Sequence, residues 1–214
     1  MTNARKVALD LLIRVQKSDS YINLLMPKVL GDLSLSDADR GLIQELSYGS
    51  LRWKYQYDSF IDQFTQGKTL SDELRFCLQL GLHQLFRMRV PSHAAIHESV
   101  ELVKEIEKRA AGLANAVLRN ADRKGFDALL ADSLRDKPEL EALAIEYSHP
   151  IWVIRALKQA LELDGKESDL KALLESNNET PVVNLAALNP EAKSYLEELE
   201  LEKGEASPIG YLFH

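Results

Sequence analysis

Ser71-Asp72-Glu73-Leu74-Arg75-Phe76-Cys77-Leu78-Gln79-Leu80-Gly81-Leu82-His83-Gln84-Leu85 is the stretch whose reading decides the fold class. Ser71 is a helix cap, since its hydroxyl can accept from a first-turn N–H that no carbonyl reaches. Leu74, Leu78, Gly81, Leu82 and Leu85 then recur at helical spacing as a buried stripe, with Cys77 on the same side. Pro91 ends the segment, because proline cannot donate the helical hydrogen bond and restricts the residue before it. Ser92 opens the next helix, with Ile96, Val100, Val103 and Ile106 facing inward.

The same period extends in both directions. Ala4, Ala8, Leu11, Leu12 and Val15 mark a first helix. Ser20 caps a short second one carrying Leu24, Leu25 and Val29. Ser36 followed by Asp37 and Asp39 starts a third, because acidic side chains favour the positive end of a helix. Leu42, Leu46, Gly49 and Trp53 stripe that helix up to a break near Lys54–Tyr57, and Asp58 to Phe64 continues until Gly67 stops it. On the carboxyl side, Ala114, Val117, Leu118 and Ala121 describe a further helix, and Gly125 closes an all-helical unit over 1–130. Pro138 begins a second unit, over 131–180. Leu140, Leu143, Ala144 and Tyr147 share one helix face there; Trp152, Ala156, Leu157, Ala160 and Leu161 share another after Pro150. Leu170, Leu173 and Leu174 suggest a third helix in that unit. The character changes over 181–214. Pro181-Val182-Val183-Asn184-Leu185 reads as a strand, Pro190 to Glu200 as a helix, and Ser207 to His214 as a strand-like segment with no visible partner. The fold class expected is mainly α: a helical bundle, a small helical linker and the start of an α/β module.

Composition bounds the function. Of 214 residues, 45% are hydrophobic and 28% charged, as in an ordinary globular protein and unlike a disordered tail. No apolar run approaches a membrane helix, and no signal peptide is visible. With one cysteine, Cys77, and no possible internal disulfide, a cytoplasmic location is expected. Asn178-Glu179-Thr180 matches a glycosylation sequon, read as chance. The net charge of −7 excludes a simple nucleic-acid-coating protein. The charge is unevenly spread: residues 1–130 carry 18 Lys and Arg against 16 Asp and Glu, and the remainder carries 8 against 17.

Few side chains advertise chemistry. His93 and His97 stand one helical turn apart, but Ala94 occupies the position where the metalloprotease pattern needs glutamate, and no third ligand is near. Cys77, mid-helix between Phe76 and Leu78, lacks the exposed electropositive setting of a nucleophile. Gly49 and Gly81 interrupt helical stripes and imply close helix–helix contacts, not phosphate loops. What remains are cations suited to phosphates and unpaired bases: Arg5, Lys6, Arg52, Lys54, Arg87, Arg89, Arg119 and Arg123, with Lys108 and Arg109 beside them and Tyr55 and Tyr57 available for stacking. No catalytic or metal-binding residue is assigned.

Three blocks carry a resemblance. Gln44-Glu45-Leu46-Ser47-Tyr48-Gly49-Ser50-Leu51-Arg52 looks like the "E-L-x-y-G-x-L-R" segment of the NusB-like helical fold. Leu80 to Leu85 and Val90 to Glu101 resemble that fold as it occurs in the Sun/RsmB family of rRNA cytosine-C5 methyltransferases. Gly112-Leu113-Ala114-Asn115-Ala116-Val117-Leu118-Arg119 matches the family's "f-v-N-a-v-L-R" helix. Ser148-His149-Pro150-Ile151-Trp152-Val153 and Glu175 to Pro181 look like its linker, so the resemblance covers nearly the whole chain. It implies binding of small-subunit (16S) ribosomal RNA, and for the parent enzyme S-adenosylmethionine and a cysteine nucleophile attacking the pyrimidine ring. The strand after Pro181 lacks the family's arginine. The methyl-donor loop and both cysteine motifs are absent, so the resemblance implies no cofactor in this chain. The alternative is a NusB-type transcription antitermination factor acting through RNA and a protein partner. A stand-alone helical scaffold is the third possibility.

Overall fold

α5 (Asp72–Arg87) is the centre of the computed structural model, which describes residues 3–18, 20–32, 34–66, 68–179, 183–204 and 207–213. Ser71 caps it, accepting from the Leu74 N–H at 3.3 Å. Every residue from Phe76 to Gln84 is buried, so the helix is enclosed on all sides, where the leucine spacing alone implies one stripe. Its polar residues tolerate this because most of their polar atoms are partnered, Gln79 Oε1 excepted. Gln79 donates to Asp58 at 2.8 Å, and Gln84 donates to the Leu80 carbonyl at 3.0 Å while accepting from Arg5 at 2.8 Å.

The surrounding helices are α1 (Ala4–Ser18), α3 (Asp37–Arg52), α4 (Lys54–Thr65), α6 (Ser92–Ile106) and α7 (Ala111–Lys124), each packed against α5. Two of them approach closely at Gly81, where a β-carbon would meet Leu118 at 2.8 Å and the Ser99 hydroxyl at 3.0 Å. α7 buries Ala114, Val117, Leu118 and Ala121, the face its spacing predicts. Burying a leucine such as Leu118 contributes about 1.5–3 kcal/mol. α6 departs from its expected face: Ala95, Ile96, Ser99, Leu102 and Val103 are buried, whereas Ile106, in the last turn, is exposed.

α2 (Ile22–Asp32) joins a smaller core through Met26 and Leu30, packed with Ala4, Leu11 and Ile43. Leu24 points to solvent, and Ser20 does not act as the cap expected of it. Its hydroxyl bonds to Ser18, while the Tyr21 carbonyl receives the Leu24 and Leu25 N–H groups. Ser36 does cap α3, accepting from the Asp39 N–H at 3.1 Å. Gly67, the expected stop of α4, lies outside the described residues; Gln66, at φ 52, is the α4 C-cap.

Gly125, at φ 79, ends α7 and begins α8 (Phe126–Leu134), a helix that the sequence reading passes over. Its N–H reaches the Ala121 carbonyl at 3.0 Å and its own carbonyl receives the Leu129 N–H at 3.1 Å. α8 packs against α4 and against α9 (Glu139–Glu146), which in turn contacts α10 (Ile151–Leu163). Leu143, Ala144, Ile154, Leu170 and Leu174 form a third core, the last two from α11 (Leu170–Ser176). In α10 the buried face is Ile154 with Leu157 and Leu161. Trp152, Ala156 and Ala160, expected inside, are exposed, because the apolar arc of this helix is wider than the face that is buried and spacing alone does not select which edge of it packs.

Residues 175–214 form a separate compact unit. β1 (Val183–Ala186), α12 (Pro190–Glu198), β2 (Glu202–Lys203) and β3 (Gly210–Phe213) make a three-stranded sheet in the order β1-β3-β2. The segment expected to lack a partner, β3, is the central strand, antiparallel to both neighbours, with Leu185 opposite Tyr211. Asn189 caps α12, accepting from Ala192 at 2.7 Å, and Leu196 and Tyr211 pack on Ala187. Pro181 and Val182, expected at the start of β1, lie outside the described residues, as does His214.

Candidate nucleic-acid interface

The densest polar cluster surrounds the break between α3 and α4. Trp53 turns the chain there without losing backbone bonds: its N–H reaches the Gly49 carbonyl at 3.1 Å and its carbonyl receives the Tyr57 N–H at 3.0 Å. Gly49 leaves room for the His83 imidazole, which a β-carbon would overlap. His83 Nε2 lies 2.9 Å from the Glu45 carboxylate and Nδ1 lies 2.9 Å from the Tyr57 hydroxyl. A carboxylate only accepts, so Nε2 carries the proton and Nδ1 accepts from the phenol. Burial pushes the His83 pKa below its ordinary value, with Glu45 opposing, and burial likewise pushes the Tyr57 phenol up.

Arg87 closes this cluster. Its guanidinium lies 3.3 Å from the Trp53 ring centroid and 5.4 Å from that of Phe126, and Nη2 donates to Gln56 Oε1 at 2.8 Å. Burial pulls its pKa below the usual arginine range. Gln56 is itself buried and passes the connection on, donating through Nε2 to the Glu146 carbonyl of α9 at 3.1 Å. Arg52 lies close enough to share with Arg87 in disfavouring the His83 cation, and makes no hydrogen bond or ion pair with a described residue. Lys54 pairs with Asp58 at 3.1 Å and lies 5.7 Å from the Tyr55 ring. Asp58 also takes Arg75 at 3.0 Å.

The other candidate cations lie apart from this junction. Arg5 is turned inward, bonded to Gln84 and 3.8 Å from Glu98, and Lys6 pairs with Glu105 at 2.8 Å. Arg119 and Arg123 stand one turn apart on the exposed face of α7. Each guanidinium is held by a neutral amide of its own helix, Asn115 at 2.9 Å for Arg119 and Asn120 for Arg123, so position is constrained and charge is uncompensated. Lys108 and Arg109, in the 3-10 turn Lys108–Ala110 before α7, are exposed, as is Arg89 after α5. The eight sequence candidates therefore divide. Arg5, Lys6 and Lys54 have acidic neighbours, Arg87 is engaged in packing, and Arg52, Arg89, Arg119 and Arg123 carry charge that no described carboxylate pairs.

Cys77 is buried and its thiol is pushed up to about 12, chiefly by burial, the opposite of the exposed, electropositive setting that favours a thiolate. His93 and His97 are exposed on α6, and no three metal-ligating side chains converge among the described residues. No described helix is long and apolar enough to cross a membrane. Sequence reasoning missed Glu45, Gln56 and His83 as one network with Arg87. The only signal available was Gly49 inside a helical stripe, since glycine there implies a neighbour that needs the space.

Residues 2–123 match the NusB family. Over 210 residues the chain is 32% identical to a protein named probable ribosomal RNA small subunit methyltransferase B in Bacillus subtilis, covering 95% of this chain and 46% of that protein. It is 33% identical over 210 residues to the ribosomal RNA small subunit methyltransferase B of Pseudomonas syringae, covering 96% of this chain and 44% of the relative. With the Escherichia coli O1:K1 protein of the same name it shares 30% identity over 182 residues, 84% of this chain and 39% of the relative. The chain thus spans less than half the length of these relatives. With its family match running from before α1 to the last turn of α7, through the helices that enclose α5, the chain belongs to the NusB family.

Proposed function

We propose that this chain is the RNA-recognition part of an S-adenosylmethionine-dependent 16S rRNA (cytosine-C5) methyltransferase that works on small-subunit RNA in the cytoplasm. The observation that carries this reading is the extent of the match. Similarity to proteins named ribosomal RNA small subunit methyltransferase B covers 210 residues, far beyond the 2–123 segment typical of the NusB family. That continuation favours the methyltransferase reading over a transcription antitermination factor. In this division of labour residues 1–130 grip RNA, 131–180 link, and 181–214 belong to the module that follows.

The residues present do not fit the methyl-transfer chemistry itself. Its nucleophile is a cysteine thiolate, and the only cysteine in the sequence, Cys77, is sealed inside α5 with its pKa raised. No step of the transfer is assigned to this chain. Its contribution is positioning: cations on a rigid helical frame hold the phosphates, so that a target base is presented in one register. Arg119, Arg123, Arg52 and Arg89 lead this role, with Arg5, Lys6, Lys54 and Arg87 exchanging or supporting their present contacts.

The test is binding of the 214-residue chain to a small-subunit rRNA fragment across a salt series, against unrelated hairpins. The expected result is affinity that falls steeply with salt while the preference for rRNA persists. Absence of binding at low salt, or stoichiometric S-adenosylmethionine binding by this chain, would overturn the assignment.

A further inference from the structure

The geometry points to a nucleobase subsite in the cleft where α4, α9 and the start of α10 meet, which takes one unstacked base of the bound RNA. This rests on the RNA-recognition reading. The cleft has a volume of about 420 Å³ and is walled by Tyr55, Ala144, Ile145, Pro150 and Trp152, with Glu141 at one side. That size suits a single small ligand and excludes a duplex. Trp152 is 71% exposed and Tyr55 42% exposed, so two aromatic rings border an apolar cleft that no described side chain fills. Base–aromatic stacking uses such rings and is indifferent to sequence.

The walls are fixed in advance. The Tyr55 N–H donates to the Ser148 hydroxyl at 3.2 Å, and Gln56 holds the end of α9 through the Glu146 carbonyl at 3.1 Å. Ser148 sits at φ 53, the strained turn that points the chain from α9 into α10, and His149 Nδ1 donates to the Tyr147 carbonyl at 2.6 Å. Charge sets the orientation of the occupant. Glu141, whose carboxylate lies 3.8 Å from Lys137 Nζ, places an acceptor at the cleft that can take the amino group of a base. Arg155 lies one turn beyond Ile151 and Trp152 on α10, exposed and free of any ion pair with a described residue, and Lys54 adjoins Tyr55. The base enters the cleft and its phosphate remains outside against Arg155.

The experiment compares the intact chain with Trp152→Ala and Trp152→Phe, using the small-subunit rRNA fragment and single-stranded oligocytidylate with and without an abasic position as probes. Trp152 is exposed, so thermal melts of the three proteins should coincide. Stacking predicts that Trp152→Ala weakens binding roughly 5- to 150-fold, that Trp152→Phe restores most of it, and that RNA quenches tryptophan fluorescence only while Trp152 is present. If the rRNA fragment binds with equal affinity to all three proteins, the subsite is refuted and the RNA-recognition reading stands. If the unaltered chain binds no RNA, both fall.

Discussion

Gly49→Ala is the most exacting test of the junction between α3 and α4. A β-carbon at this position would overlap His83 Cε1 and Nε2 and lie 3.0 Å from Nδ1. The obstacle is a ring held at both ends, by Glu45 and Tyr57 at 2.9 Å each, and therefore not a flexible tip that can swing aside. Displacing it forfeits two hydrogen bonds of about 1 kcal/mol each and leaves the buried Tyr57 hydroxyl unpartnered, at a cost of about 1–3 kcal/mol. Alanine returns about 1 kcal/mol of helix propensity. The expected net loss is about 2–4 kcal/mol, measured by urea unfolding followed by circular dichroism. Gly41→Ala is the control. It lies in the same helix with nothing within 4 Å, and should be neutral or stabilise by up to about 1 kcal/mol. In a His83→Ala background the Gly49→Ala penalty should vanish, a coupling that a double-mutant cycle isolates. Equal stability of Gly49→Ala and Gly41→Ala would refute this account of why glycine stands there.

Three further outcomes follow from the same contacts. The folded His83 pKa is below 6.5, so between the two values the unfolded chain binds more protons; the His83 contribution to stability is complete above pH 6.5 and lost as pH falls through that window, and His83→Gln should flatten this part of the pH–stability curve. Cys77 should resist a thiol reagent until the protein unfolds, and fast labelling of the native chain would contradict its burial. Arg119→Gln and Arg123→Gln should each lower the slope of log affinity against log salt by about 0.7–0.9, whereas Lys6→Gln, which also frees Glu105, should change it less.

Much of the bundle is legible in the sequence because its signals are local. α7 shows all four core positions by spacing, and Ser36 and Ser71 cap where their side chains predict. Where the reading errs, information from distant chain segments decides. α10 has a polar face of Arg155, Lys158, Gln159 and Glu162 and a wide apolar arc opposite, and which edge of that arc is buried is chosen by Leu143 and Leu174 rather than by its own pattern. β3 finds its partner in β1, some two dozen residues earlier, with a helix between them. Arg87 reads as a surface cation because nothing local tells that its guanidinium will lie on Trp53, 34 positions back. Gly49 does signal a close approach, but His83 as the neighbour emerges only from the packing of α3 on α5.

The enclosure of α5 bears on how the chain leaves the ribosome. α1 precedes α5 in the chain and Leu9 and Leu12 gain part of their shelter from α3, but their core is complete only once α5 has been synthesised, and the groove at Gly81 closes only when Leu118 arrives. For the interval between those events a nascent chain carries the Gly81 face of α5 uncovered, a sticky intermediate of the kind that holdase chaperones recognise. Translation pauses that hold α7 inside the ribosome should therefore raise the aggregated fraction, and pauses placed after α7 has emerged should leave yield unchanged.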